Sequence, residues 1–121
     1  MKINLQNSFS EIKTYWSPKI LAEVNDQYIK AAKLKGDIVW HKHENEDEMF
    51  LVMKGSLTLN FENAENVTLQ TGECYVVPKG VLHQPVAEEE CHVMLIESKT
   101  TKHTGDQITP QTKSIEDQLA K

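Results

Sequence analysis

The chain has no arginine: all 13 of its basic residues are lysine. The planar guanidinium fork that grips carboxylates and phosphates is therefore missing, and an anionic partner would have to be held by lysine, backbone amides or a metal. With 18 acidic residues the net charge is -5 and the isoelectric point about 5.5. That balance disfavours a phosphate backbone, so no nucleic-acid partner is expected. Long apolar runs are also missing. Met49 to Met53 and Val93 to Ile96 are short blocks, far from the roughly 20 residues of a membrane helix, and no membrane partner is expected. The N-terminus, MKINLQNSFSEIK, carries no apolar stretch and no small-residue cleavage site, so a cytoplasmic location is expected rather than secretion. Cysteine is scarce: Cys74 and Cys91 show no CxxC spacing and read as reduced thiols.

What is present suits one small β domain. At 121 residues there is enough chain for one core and too little for two. Ser8 and Glu11 match a capping box, and Phe9, Ile12 and Trp16 recur at helical spacing until Pro18, which predicts a short N-terminal helix. From Ile20 onward, short segments rich in Val, Ile, Leu and Tyr are separated by Asn-Asp, Lys-Gly and Pro-x-Gly punctuation. This predicts antiparallel strands near 19–24, 27–35, 37–43, 48–54, 56–62, 66–70, 73–77, 82–87 and 91–98, closed as a sandwich or barrel. Leu57, Leu59 and Phe61 alternate with polar residues, as in a half-buried strand. The blocks MFLVM and VMLI are apolar on both faces, so a second layer is expected, supplied by the N-terminal helix or a second subunit; a homodimer is the expected form. After Lys99 the chain loses hydrophobic periodicity and is expected to be mobile or to lie on the surface, with a weak helix over Ser114 to Ala120. The expected organisation is a helical arm over 1–17, a β-barrel over 18–98 and a polar tail over 99–121.

The chemistry concentrates in WHKHENEDEMF, Trp40 to Phe50. On a strand, residues two apart share a face, so His41 and His43 point together while Trp40 and Lys42 point away. The acidic turn then brings Glu48 to the start of the next strand, and His83 follows the PKG turn at Pro78 to Gly80. Three imidazoles and one carboxylate around a point form a ligand set that zinc, iron, nickel, copper or manganese would accept. A lone histidine in a strand is more often simply packed or solvent-facing, and His92 and His103 are read that way.

The complete pattern GxxxxHxHxxxxExxxxxxG, Gly36 to Gly55, followed by GxxxxxPxGxxH, Gly72 to His83, resembles the paired motifs of the cupin superfamily. The region from YWSPKILAEVNDQ through PKGVLHQPVAEEE is also similar to small bacterial cupins described as mannose-6-phosphate isomerase-like. Two positions depart from the motifs: four rather than five residues precede His41, and Ala87 stands where asparagine is usual. The resemblance implies a double-stranded β-helix of the jelly-roll type binding one divalent transition metal, of identity left open among zinc, iron, manganese and nickel. It implies His41, His43, Glu48 and His83 as the ligands, and Gly55, Gly72, Gly80 and Pro78 as turn residues.

Three functions fit such a site. The metal could act as a Lewis acid in a sugar isomerase or epimerase, with His92, Gln84 or Tyr75 in reach as a base and no residue singled out. It could be iron or nickel in a dioxygenase of a small enolate or thiol. Alternatively, the barrel could be a non-catalytic binding module, its ligand lying among Val39, Phe50, Val52, Leu57, Leu59 and Phe61.

Overall fold

Alternating hydrophobic residues draw seven segments into strands in a computed structural model that describes residues 1–119. They are β1 (Lys19–Val24), β2 (Gln27–Asp37), β3 (Glu48–Lys54), β4 (Ser56–Phe61), β5 (Val67–Gln70), β6 (Cys74–Val77) and β7 (His83–Ser98), flanked by α1 (Leu5–Glu11) and α2 (Ile115–Leu119). Ala120, the expected end of the second helix, lies outside the described residues. All strand pairings between these elements are antiparallel. The order is β1-β2-β7-β3-β6, with β4 joining β5 to β7.

The strand β7 shapes the barrel. It was expected as two strands, 82–87 and 91–98, and it forms one that is sharply bent. Along the ladder with β2, Leu34 faces Cys91 and Gly36 faces Ala87, so Lys35 alone opposes the exposed Glu88, Glu89 and Glu90. A straight strand would place His83 and Glu97 about 46 Å apart at roughly 3.3 Å per residue. Both ends instead meet Glu48: Glu97 is its ladder partner, and His83 Nε2 lies 3.7 Å from its Oε1. The first half of β7 pairs with β4 and the second with β3, so one strand belongs to both walls. The inner faces meet in a core that includes Leu34, Phe50, Val52, Leu57, Leu59, Phe61 and Val93.

The structure departs from the sequence expectations at three other places. The segment 37–43 is not a strand beyond Asp37; His41 makes only an isolated bridge with His83. Both edges of β3 are already occupied, by β6 and β7, so that segment cannot pair with the strand that follows it. The helix α1 is capped by Asn4, whose side chain accepts from the Asn7 N–H at 2.9 Å, while Ser8 lies inside the helix. Trp16 does not continue it: its φ is 56°, and its indole N–H donates to the Lys35 carbonyl at 2.8 Å. Phe9 and Ile12 pack with Ala31 and Met94 on the outer face of the barrel, so the helix supplies part of the expected second layer. Met53 and Val76 stay exposed.

Parts of the segment after Lys99 pack against the barrel rather than lying wholly on its surface. Thr101, Thr104 and Gln118 are buried. Gly105 sits at φ +58° against the Lys42 carbonyl oxygen, which a Cβ would strike. Only glycine permits that approach of the tail to the segment carrying His41 and His43.

Candidate metal centre

Backbone docking brings the two sequence motifs together. The His41 N–H donates to the His83 carbonyl at 3.0 Å, the His83 N–H returns a bond to the His41 carbonyl at 2.9 Å, and the Gly80 N–H donates to the His43 carbonyl at 2.7 Å. The acidic turn contributes Asp47, which accepts from the Lys79 N–H at 2.9 Å and so fixes the PKG turn. As a result the side chains of His41, His43, Glu48 and His83, all buried, place one ligand atom each within 4.8 Å of the others. Trp40 and Lys42 point outward, as the spacing predicts.

Hydrogen bonding prepares the imidazoles for a metal. His41 Nδ1 lies 2.8 Å from the Val39 carbonyl and His83 Nδ1 lies 2.9 Å from the Val81 carbonyl. A carbonyl can only accept, so each Nδ1 carries the proton and each Nε2 presents a lone pair. Phe50 packs edge-on against His83, with ring centroids 6.3 Å apart. Among the described residues, His43 Nδ1 and Nε2, His83 Nε2 and Glu48 Oε1 are buried without a hydrogen-bond partner. Leaving such groups unpaired costs about 1–3 kcal/mol each, and a cation between them would satisfy most of them. The four side chains could therefore hold a metal ion.

Behind Glu48 lies a second buried layer that sequence reasoning missed. Lys30 Nζ is 2.6 Å from Glu97 Oε1 and is also bonded to Gln118 Oε1 of α2. All three residues are almost fully buried. Burial works against the Glu48 carboxylate, but its polar neighbours Glu97, His43 and His83 outweigh it and hold Glu48 well below the usual carboxylate range. Burial and the neighbouring Glu48 charge push Glu97 well above that range despite Lys30. Of the two carboxyls, Glu48 is therefore the one favoured as the anion and Glu97 the one favoured as the acid. The residues behind this layer are a lysine and a glutamine at ordinary-looking strand and tail positions, with no motif to flag them.

A cavity of about 30 Å³ opens beside the cluster, with Glu48, His41 and His103 as its polar lining and Leu34, Ile38, Phe50 and Leu95 among its apolar walls. His103 is the other residue missed, since it lies in the tail, outside both motifs. None of the three candidate bases lines this cavity. His92 faces outward, stacked on Phe9 and 2.8 Å from Glu90. Gln84 donates to the Ile38 carbonyl. Tyr75 packs against Phe61.

Burial lowers His41 to about 4, although its bond to Val39 works the other way, and lowers His103 to about 4, assisted by the nearby His41. In an unfolded chain both would titrate near 6.5. At these two histidines the unfolded chain therefore binds more protons than the folded one between pH 6.5 and about 4, so stability present above pH 6.5 is lost as pH falls; the raised Glu97 works the other way, one group against two. With chelator present, the unfolding free energy from urea titration is expected to drop between pH 7 and 4.5, by about a few kcal/mol in total, and the urea midpoint with it, more gently in His103→Asn. A midpoint flat from pH 6.5 to 5 would contradict this.

Comparison with known proteins agrees with the motifs. The cupin domain family matches residues 32–97. The Bacillus subtilis (strain 168) protein YdbB, itself uncharacterized, is 32% identical over 81 residues, spanning 67% of this chain and 72% of that protein. A crystal structure of a cupin-2 domain containing protein from Shewanella frigidimarina is 48% identical, with a TM-score of 0.78 over 80% of this chain and 94% of that one. A Neisseria meningitidis protein is 34% identical, with a TM-score of 0.76 over 82% of this chain and all (100%) of that one. Hydroquinone 1,2-dioxygenase from Sphingomonas sp. TTNP3, solved with 4-hydroxybenzoate bound, shares the fold at 18% identity and a TM-score of 0.75, over 83% of this chain and 32% of that one.

Proposed function

Because the chain belongs to the cupin domain family, we propose that it holds one divalent transition metal through His41, His43, Glu48 and His83 and presents it to a small organic molecule in the adjoining cavity. The observation that supports this reading is the set of buried ligand atoms left without partners, converging within 4.8 Å. When bound there, iron, nickel or manganese could supply redox chemistry, whereas zinc would supply Lewis acidity alone.

Oxygenation of a small enolate or thiol fits this site better than isomerisation of a sugar. An isomerase needs a base beside the metal to move a proton. His103 is the one further imidazole in the cavity, and its Nδ1 accepts the Lys113 N–H at 2.9 Å. A neutral ring so tied carries its proton on Nε2 and has no free lone pair for proton abstraction. No lysine lines the cavity and the chain has no arginine, so a sugar phosphate would find no basic side chain there. The minor reading is a zinc-loaded binding module. The same overall reading includes a cytoplasmic protein without nucleic-acid or membrane partners, and a homodimer covering the exposed Met53 and Val76.

Metal analysis of anaerobically purified, untagged protein separates these readings. Near-stoichiometric iron, with oxygen uptake on addition of enolates or thiols, is the expected result. Zinc without oxygen uptake would leave the binding module, and protein that takes up no divalent metal would overturn the proposal.

A further inference from the structure

We propose that His103 is the hydrogen-bond donor that anchors the ligand in the cavity, and that the ligand is a small monoanionic oxygen compound with a short apolar tail, such as a short-chain carboxylate or enolate. This rests on the metal reading above and adds the ligand's class and a residue outside the family motifs.

The Lys113 backbone N–H can only donate, so the Nδ1 it reaches must hold a lone pair, and the ring proton sits on Nε2. Nε2–H has no protein acceptor among the described residues, and His103 lines the cavity together with His41 and Glu48. One donor beside one cation site suits a ligand with oxygens at one end. An anionic oxygen fits better than a neutral one, because hydrogen bonds to charged groups are the stronger kind. The remaining walls, among them Ile38, Phe50, Val93 and Leu95, offer no free polar group, the Trp16 indole N–H being committed to the Lys35 carbonyl, so the rest of the ligand is apolar. The cavity is small, about 30 Å³, so the ligand is small and its apolar part short. Phosphorylated ligands are disfavoured because a dianion would meet a single neutral donor.

The tail segment is built to keep this donor in place. Gly105, two residues on, is pressed to the Lys42 carbonyl, between His41 and His43. The far side of the ring is held by Lys113. His103 is thus tied both to the metal motif and to the start of α2.

The test uses protein reconstituted with cobalt(II), whose visible absorption reports ligand binding without turnover, and propionate as the probe. His103→Asn keeps a carbonyl oxygen for the Lys113 N–H but lacks the reach of the Nε2 donor; His103→Gln restores an N–H at that reach. The parent and both variants should bind cobalt alike. Propionate should bind the Asn variant at least about tenfold more weakly, the cost of one hydrogen bond to a charged group, and the Gln variant within about threefold of the parent on the same scale. Equal propionate affinity in the parent and the Asn variant would overturn the inference while leaving the metal reading intact. Equal weakening in both variants would also overturn it, by assigning the loss to ring shape. A parent that takes up no cobalt would bring down both readings.

Discussion

Replacing His83 by alanine is expected to lower metal affinity by at least about a hundredfold, since altering only the outer partners of a metal ligand costs about 10- to 100-fold. His83 is fully buried, its Nδ1 is committed to the Val81 carbonyl, and its Nε2 faces Glu48. Alanine removes the lone pair and leaves the Val81 carbonyl without its donor. The backbone bonds between His41 and His83 do not need the imidazole, so the β signature in circular dichroism should persist. Competition against a chelator of known affinity measures the loss. A variant that holds metal as tightly as the parent would remove His83 from the ligand set. His43→Ala should behave similarly, although no hydrogen bond orients its ring among the described residues.

The second large effect is expected at Lys30. Lys30→Met takes the cation from Glu97 and the partner from Gln118 at once. Breaking a buried pair from one side costs about 3–5 kcal/mol, whereas exchanging both partners for apolar residues is often neutral. Because Glu97 is already pushed toward its protonated form, the cost should fall near the lower figure, about 3 kcal/mol in urea unfolding. Lys30→Met combined with Glu97→Leu should recover most of it. A single variant as stable as the parent would mean that the pair does not hold this end of the barrel. Metal affinity is a separate readout: the single variant should weaken it by about tenfold, because Glu97, the ladder partner of Glu48, is then less firmly fixed behind it.

The convergence of His41, His43, Glu48 and His83 could be read from the sequence because these residues obey short-range rules. His41 and His43 face together even though their segment is not a strand, and the turn glycines and Pro78 mark how the two motifs meet. The strand series was legible for the same reason, since alternation and turn residues act locally. Lys30, Gln118 and His103 were not legible. Lys30 occupies an inward strand position in a pattern that otherwise alternates, and a lysine there normally means an outward face. Its burial depends on Glu97 and Gln118, 67 and 88 residues away (97 − 30 and 118 − 30). The tail lacks hydrophobic periodicity because it is held by threonines, one glutamine and a glycine contact rather than by an apolar stripe. Polar packing of that kind has no period to detect.

The bend at Glu88 to Glu90 bears on how this barrel can change over evolutionary time. Three residues there already face one on β2, so gaining or losing a residue in that stretch need not shift either half of the strand. His83 keeps its register against Phe61, and Glu97 keeps its register against Glu48. The same insertion between Cys91 and Ile96 would turn Glu97 to the opposite face, because strand side chains alternate with a period of two. A change of length in β7 would thus be best tolerated at this exposed acidic corner, where it leaves both ends of the strand in register.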